Sequence, residues 1–104
     1  MAWEEIRVET QKEAKAWDYH EKVSLEGFVE LKKENTDHEG RKYLTVILKT
    51  NEGERYFLPR NIDLQLKLKD VEEGDKLHIR HAGEEELPDG RTIRRFKVYR
   101  WIEA

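Results

Sequence analysis

From Val23 onward, apolar and polar positions alternate at the period of half-buried strands. Val23, Leu25, Gly27, Val29 and Leu31 interleave with Ser24, Glu26, Phe28, Glu30 and Lys32, which predicts a first strand with one inward face. Gly27 in its middle predicts a bulge or a sharp bend. The polar, turn-rich run Glu34 to Arg41 reads as a loop. Leu44, Val46 and Leu48 then alternate with Tyr43, Thr45, Ile47 and Lys49 in a second strand. Asn51-Glu52-Gly53 forms a tight hairpin turn, and Arg55 to Leu58 is a third strand that Pro59 ends.

After Pro59 the pattern divides. Ile62, Leu64, Leu66 and Leu68 stand among polar residues at strict alternation, as in a strand. Yet Leu, Gln and Lys are good helix formers, Asn61 can cap a helix, and no β-branched residue follows Ile62 before Lys69, so the expectation is a short helix. Val71 to Asp75 is a turn, and Leu77, Ile79 and His81 alternate in a fourth strand. Glu84 to Gly90 is a loop holding the Pro88-Asp89-Gly90 turn, and Thr92 to Ile102 is the fifth strand. Residues 1–22 are expected to form an N-terminal arm packed on a barrel of residues 23–104. Within the arm, Ile6 and Val8 alternate like a short strand, and Lys12 to Trp17 reads as a loop or one helical turn.

Composition narrows this picture. A chain of 104 residues is one domain, and with 41% charged against 37% hydrophobic residues its core must be lean. A small barrel or sandwich uses few apolar residues economically. Without cysteine there are no disulfides, thiolate zinc sites or cysteine nucleophiles. No apolar run approaches the ~18 residues of a membrane span, and Met1-Ala2-Trp3-Glu4-Glu5 lacks the basic and apolar regions of a secretory signal. The expectation is a soluble cytoplasmic protein, in the host cytoplasm if the source is viral. Abundant Glu, Lys and Arg beside one Met, three Asn and two Gln suit a protein that works hot; a melting midpoint in the ordinary mesophile range would remove that reading.

Charge is unevenly spread. The net charge is −3, yet Arg91 to Trp101 holds five cations, three aromatics and no carboxylate. Cations interleaved with aromatics suit a single-stranded nucleic acid, because phosphates need charge and unstacked bases need a flat π-face. An amphipathic strand with a solvated cationic edge has the same pattern. Strand geometry divides the segment: Phe96 and Val98 point to the core, and Arg95, Lys97, Tyr99 and Trp101 point away. The expectation puts Arg91, Arg94 and Arg95 at the ligand and gives Tyr99 and Trp101 structural roles against the arm.

Three strands, a short helix and two more strands form the order of the oligonucleotide/oligosaccharide-binding (OB) fold, an all-β, five-stranded Greek-key barrel. In it the helix lies between strands 3 and 4, and the 1–2 and 4–5 loops flank the ligand groove. The chain also resembles the small single-stranded DNA-binding proteins of bacteriophages that use this fold. The resemblance spans about residues 16–101. It is carried by Ala16-Trp17-Asp18-Tyr19, Leu25-Glu26-Gly27, the hairpin Leu48 to Phe57 with Asn51-Glu52-Gly53-Glu54, Gly74-Asp75-Lys76-Leu77-His78-Ile79, and Arg95-Phe96-Lys97-Val98-Tyr99. It implies a barrel that coats exposed single strands in replication or recombination, alongside proteins of those processes, without chemistry of its own. Cellular single-strand binders often end in a flexible acidic tail that recruits partners. This sequence ends Trp101-Ile102-Glu103-Ala104, so recruitment through such a tail is not expected.

The candidate binding residues follow from alternation. With Leu44, Val46 and Leu48 inward, Tyr43, Thr45, Ile47 and Lys49 form the outer face of the second strand, the groove floor in such a barrel. Tyr56 joins them from the third strand if Phe57 takes the core. Tyr43 and Tyr56 either stack on bases or form a cross-strand pair. Lys32, Lys33, Arg41 and Lys42 border the first loop, and Arg60, Arg91, Arg94 and Arg95 border the groove elsewhere. These cations either contact phosphates or are solvated and paired with Glu34, Asp37, Glu39 or Glu84 to Glu86. Trp17 either stacks on a base or anchors the arm.

Catalysis and metals find no pattern. His78 and His81 are an odd number of residues apart on a strand and so face opposite ways, while His20 and His38 lie in separate polar segments. No phosphate-binding glycine loop or nucleophile elbow occurs. No cofactor, metal or enzymatic activity is expected. The expected function is single-stranded DNA binding with little sequence preference. A protein-interaction barrel and RNA binding on the same barrel are the alternatives.

Overall fold

The structure, a computed structural model, describes residues 2–4 and 13–103. It is mostly β: β1 (Lys15–Ala16), β2 (Ser24–Thr36), β3 (Lys42–Lys49), β4 (Arg55–Phe57), β5 (Lys76–Glu86) and β6 (Thr92–Arg100), with one helix, α1 (Ile62–Lys67). These strands form a single sheet in the order β1-β4-β3-β2-β5-β6, curled into a half-barrel. All pairs are antiparallel except β1 with β4. Six strands replace the expected five, because the arm contributes β1, which pairs Lys15 with Tyr56 and Ala16 with Phe57. This strand stands where a loop or helical turn was expected; the strand expected around Ile6 and Val8 lies outside the described residues. No helix among the described residues is long and apolar enough to cross a membrane.

The inward positions of the alternating runs build the core. Leu25, Val29, Val46, Leu48, Leu77, Ile79 and Phe96 are buried together with Leu58, Leu64, Leu68, Val71 and Trp17. Helix wins over strand between residues 62 and 67 because Leu64 and Leu68, four apart, share one helix face and are both fully buried. Their alternation partners Ile62 and Leu66 are left 68% and 59% exposed. Asn61 caps the helix, its side-chain oxygen accepting from the Leu64 N–H at 3.0 Å.

Both expected loops are shorter than predicted. β2 and β3 stay paired out to Thr36 and Lys42, and β5 and β6 out to Glu86 and Thr92. Each hairpin closes in a tight turn in which Asp37 N–H donates to Arg41 O and Leu87 N–H to Arg91 O. Gly40 and Gly90 take the positive φ values of 82° and 86° that these turns need.

The bulge falls at Glu30 and not at Gly27. Register passes from Val29↔Leu48 to Leu31↔Ile47, so one extra residue reverses the alternation. Leu31 therefore joins Ile47 on the outer face instead of pointing inward. Lys32 turns to the core side, where its Nζ donates to the carbonyls of Lys69 and Val71 at 2.7 and 2.6 Å. Gly27 serves a different need: a Cβ there would stand 2.5 Å from the Lys49 carbonyl oxygen, a close backbone approach.

α1 ties together the two sides of the curled sheet. The Gln65 side-chain amide pairs with both backbone groups of Leu44 on β3, accepting from N–H at 2.7 Å and donating to O at 2.9 Å. On the other side the Asp63 carboxylate accepts from Phe96 N–H at 2.9 Å, and Lys67 Nζ donates to Phe96 O. Side chains of a short helix thus satisfy strand-edge groups that a neighbouring strand would otherwise bond. Burial alone would raise the pKa of Asp63, but the Phe96 N–H, Lys67 and Arg95 outweigh it and hold the carboxyl below its ordinary value.

Candidate nucleic-acid interface

The outer face of β3, with its neighbours β2 and β4, carries the expected mixture of aromatics and cations, though not all the expected residues. Residues opposite one another on antiparallel strands share a face. The register therefore gives four cross-strand rows on this side: Asn35 with Tyr43, Lys33 with Thr45, Leu31 with Ile47 and Phe57, and Phe28 with Lys49 and Arg55. Phe28 and Phe57 are 45% and 40% exposed, whereas Ile47 beneath them is nearly buried. Asn35 donates to the Thr45 hydroxyl at 2.6 Å, and Arg55 is bonded to Glu30 at 2.7 Å. Lys33 and Lys49 have no carboxylate partner among the described residues.

Tyr56 and Phe57 exchange the places expected of them. Tyr56 lies opposite Leu48, on the core side, and packs against the core while its hydroxyl donates to Glu54. That hydrogen bond first, and burial second, raise the phenol above its ordinary pKa. Phe57 takes the outer position. The signal for this was hairpin register: once Lys49 faces Arg55 across the turn, parity sends Arg55 and Phe57 outward and Tyr56 inward. Phe28 could also have been found, as an aromatic alternating with inward Leu25 and Val29 on an otherwise polar face.

Tyr43 stays on the outer face, half-buried, with the Arg60 guanidinium 4.2 Å over its ring. Arg60 in turn donates to Asp37 at 2.8 Å. Asp37 also accepts from the backbone N–H groups of Glu39 and Arg41 and meets the Arg41 guanidinium at 3.5 Å. The Arg60 hydrogen bond above all, with the backbone donors, lowers its pKa to about 2.

Most border cations are likewise engaged. Arg41 also pairs with Glu39, Lys42 with Glu34 at 3.6 Å, Arg91 with Asp89 at 2.6 Å and Arg94 with Glu84 at 3.4 Å. Arg95 bridges Glu85 at 2.8 Å and Asp63 at 3.0 Å. The hairpin tips are therefore closer to neutral than their cations alone suggest. Apart from Arg95 with the buried Asp63, these pairs are surface contacts of the kind worth ~0–1 kcal/mol, which a polyanion can exchange for its own phosphates.

Trp17 is 4% exposed and its indole N–H donates to Lys22 O at 2.8 Å, so it is a core residue and not a stacking platform. It packs edge-on against Tyr19 at 5.9 Å and tilted against Phe96 at 5.7 Å. Tyr99 and Trp101, expected to be structural, are instead 54% and 67% exposed on the outer face of β6 and its continuation. Compared with protein-family models, curated proteins and solved structures, the chain finds no match.

Proposed function

We propose that the protein is a small OB-type barrel that holds single-stranded DNA with little sequence preference during replication or recombination. The fold side of the reading is supported by connectivity. A β2-β3-β4 meander, a helix and the β5-β6 hairpin, with β2 paired to both β3 and β5, follow the strand order of that barrel, β1 being an addition from the arm. The observation that carries the function is the outer face of β2, β3 and β4. There Phe28 and Phe57 offer exposed rings, Tyr43 lies half-buried beneath Arg60, and Lys33 and Lys49 stand beside them without carboxylate partners among the described residues. Exposed rings take stacked bases at ~1–3 kcal/mol each, and ammonium groups take phosphates without reading sequence.

The test is anisotropy titration of labelled oligo-dT, oligo-U and a matched duplex across a salt series. The reading expects oligo-dT to bind more tightly than duplex, with affinity falling as salt rises. Equal or absent binding to all three, without a salt slope, defeats it. Preference for oligo-U would move the assignment to RNA. A second reading, an OB-type protein-interaction module, draws support from the ion-paired hairpins, whose Arg41, Lys42, Arg91, Arg94 and Arg95 already hold carboxylates. Phe57→Ala separates the two: lost DNA affinity with an unchanged melt supports the first, and retained affinity supports the second.

A further inference from the structure

A second strip of cations and aromatics lies on the outer face of the β5–β6 hairpin, away from the face described above. The register places Arg80 opposite Lys97 and His78 opposite Tyr99, while the backbone N–H of Trp101 donates to Lys76 O at 2.9 Å. Leu77, Ile79 and Phe96 are buried, so by parity Lys76, His78, Arg80, Lys97 and Tyr99 all face outward. Arg80 and Lys97 are exposed, and neither has a carboxylate partner among the described residues.

Two cations directly opposite on neighbouring strands repel, because their Cβ atoms stand only about 4.5–5.5 Å apart. Elsewhere on this surface nearly every arginine is matched with an acid, so an unmatched facing pair is the exception. It is also the arrangement that one bridging phosphate would relieve. The next rows supply flat surfaces. His78 and Tyr99 have ring centroids 6.1 Å apart, and Lys76 Nζ sits 5.7 Å over the Trp101 ring. Glu26, 3.7 Å from Lys76, is the carboxylate at this end of the strip. Lys76 also lies 5.9 Å over the Phe28 ring, so the strip runs into the first face at Phe28.

We infer that this strip is a second contact surface for the same single-stranded polynucleotide, with a phosphate between Arg80 and Lys97 and bases on Tyr99 and Trp101, continuous with the first face through Phe28. The inference rests on the functional reading above and extends it from one face to a path around the sheet. It predicts that long strands gain contacts short ones cannot make.

The experiment compares oligo-dT of about 8 and about 20 nucleotides, set against the ~4–16 nucleotides that one such fold covers. Arg80→Ser/Lys97→Ser and Tyr99→Ala/Trp101→Ala are measured beside Lys33→Ser/Lys49→Ser on the first face, with melts confirming that each variant folds. Losing both cations of the strip removes the one phosphate contact they share and should flatten the log K against log salt slope for the longer oligonucleotide by about 0.7, at ~0.7 per phosphate contact on a single strand. The unliganded melt should stay put or rise. In a Trp3→Phe background, oligo-dT should quench the Trp101 emission. If the strip variants leave affinity, slope and quenching unchanged while Lys33→Ser/Lys49→Ser weakens binding, the inference falls and the functional reading stands. Should only the strip variants weaken binding, single-strand binding stands on the strip alone, and the first face and the continuous path through Phe28 fall. No binding of either oligonucleotide by the native protein overturns both.

Discussion

Replacing Asp63 with alanine tests whether α1 closes the curled sheet through hydrogen bonds. The carboxylate accepts from the Phe96 N–H at 2.9 Å, from Lys67 at 2.9 Å and from Arg95 at 3.0 Å, and Phe96 is 1% exposed. An orphaned buried N–H costs about 1–3 kcal/mol. The ion pairs add less, because the side chains of Lys67 and Arg95 remain 42% and 37% exposed and such pairs are worth ~0–1 kcal/mol each. The sum is a loss of about 2–4 kcal/mol, or about 10–25 °C in Tm at the scaling for a domain of this size. Urea unfolding followed by circular dichroism measures it. Asp63→Asn, which keeps an acceptor for Phe96, should lose about half as much. The pH dependence has a definite sign. Because the folded Asp63 pKa lies below its unfolded value, its stabilisation is present above about pH 4 and is lost as pH falls through the depressed folded value. The variant should therefore show a shallower acid decline. An Asp63→Ala protein within about 0.5 kcal/mol of the parent would falsify the closure argument.

Gly27→Ala forces a Cβ to 2.5 Å from the Lys49 carbonyl oxygen and should cost ~1–3 kcal/mol by overpacking two backbones, read as a lowered urea midpoint; an unchanged midpoint would show that the strands can separate freely there. Trp17→Ala removes a buried aromatic from the core and should cost about 3–5 kcal/mol, whereas a loss below ~1 kcal/mol would mean the arm only rests on the sheet. Asp37, with a pKa of about 2, should remain ionised down to about pH 3 in an NMR titration of its carboxyl carbon. Asp37→Asn releases Arg60 and Arg41, so oligo-dT affinity and salt slope should both increase; a decrease would mean that Asp37 holds those arginines in the binding geometry.

The core was legible in the sequence because period-2 alternation at Leu25, Val29, Val46, Leu48, Leu77 and Ile79 survives folding unchanged. The helix was legible from residue type and from Asn61, even against an alternating pattern. Two things were not. The bulge at Glu30 needs no glycine and leaves no mark in composition, yet it reverses the facing of Leu31 and Lys32. The fate of each cation was hidden as well, since its partner is set by tertiary neighbours: Arg60 meets Asp37 across 23 residues and Arg95 meets Asp63 across 32. On the candidate face, Tyr43, Thr45 and Lys49 followed from alternation alone. Choosing between Tyr56 and Phe57 required the hairpin register, which a turn with several allowed pairings does not specify by its residues.

The helix that bridges the sheet also bears on how copies of this chain meet. An exposed strand edge is a template for pairing with another chain, and short edges, charges or a covering element are the usual protections. Here Asp63 and Lys67 occupy the backbone groups of Phe96, and Gln65 occupies those of Leu44. A strand from a neighbouring molecule could not zip along β6 through Phe96 without first displacing that charged pair. Six helical residues thus block pairing at Phe96 on one edge of the sheet as well as joining two strands.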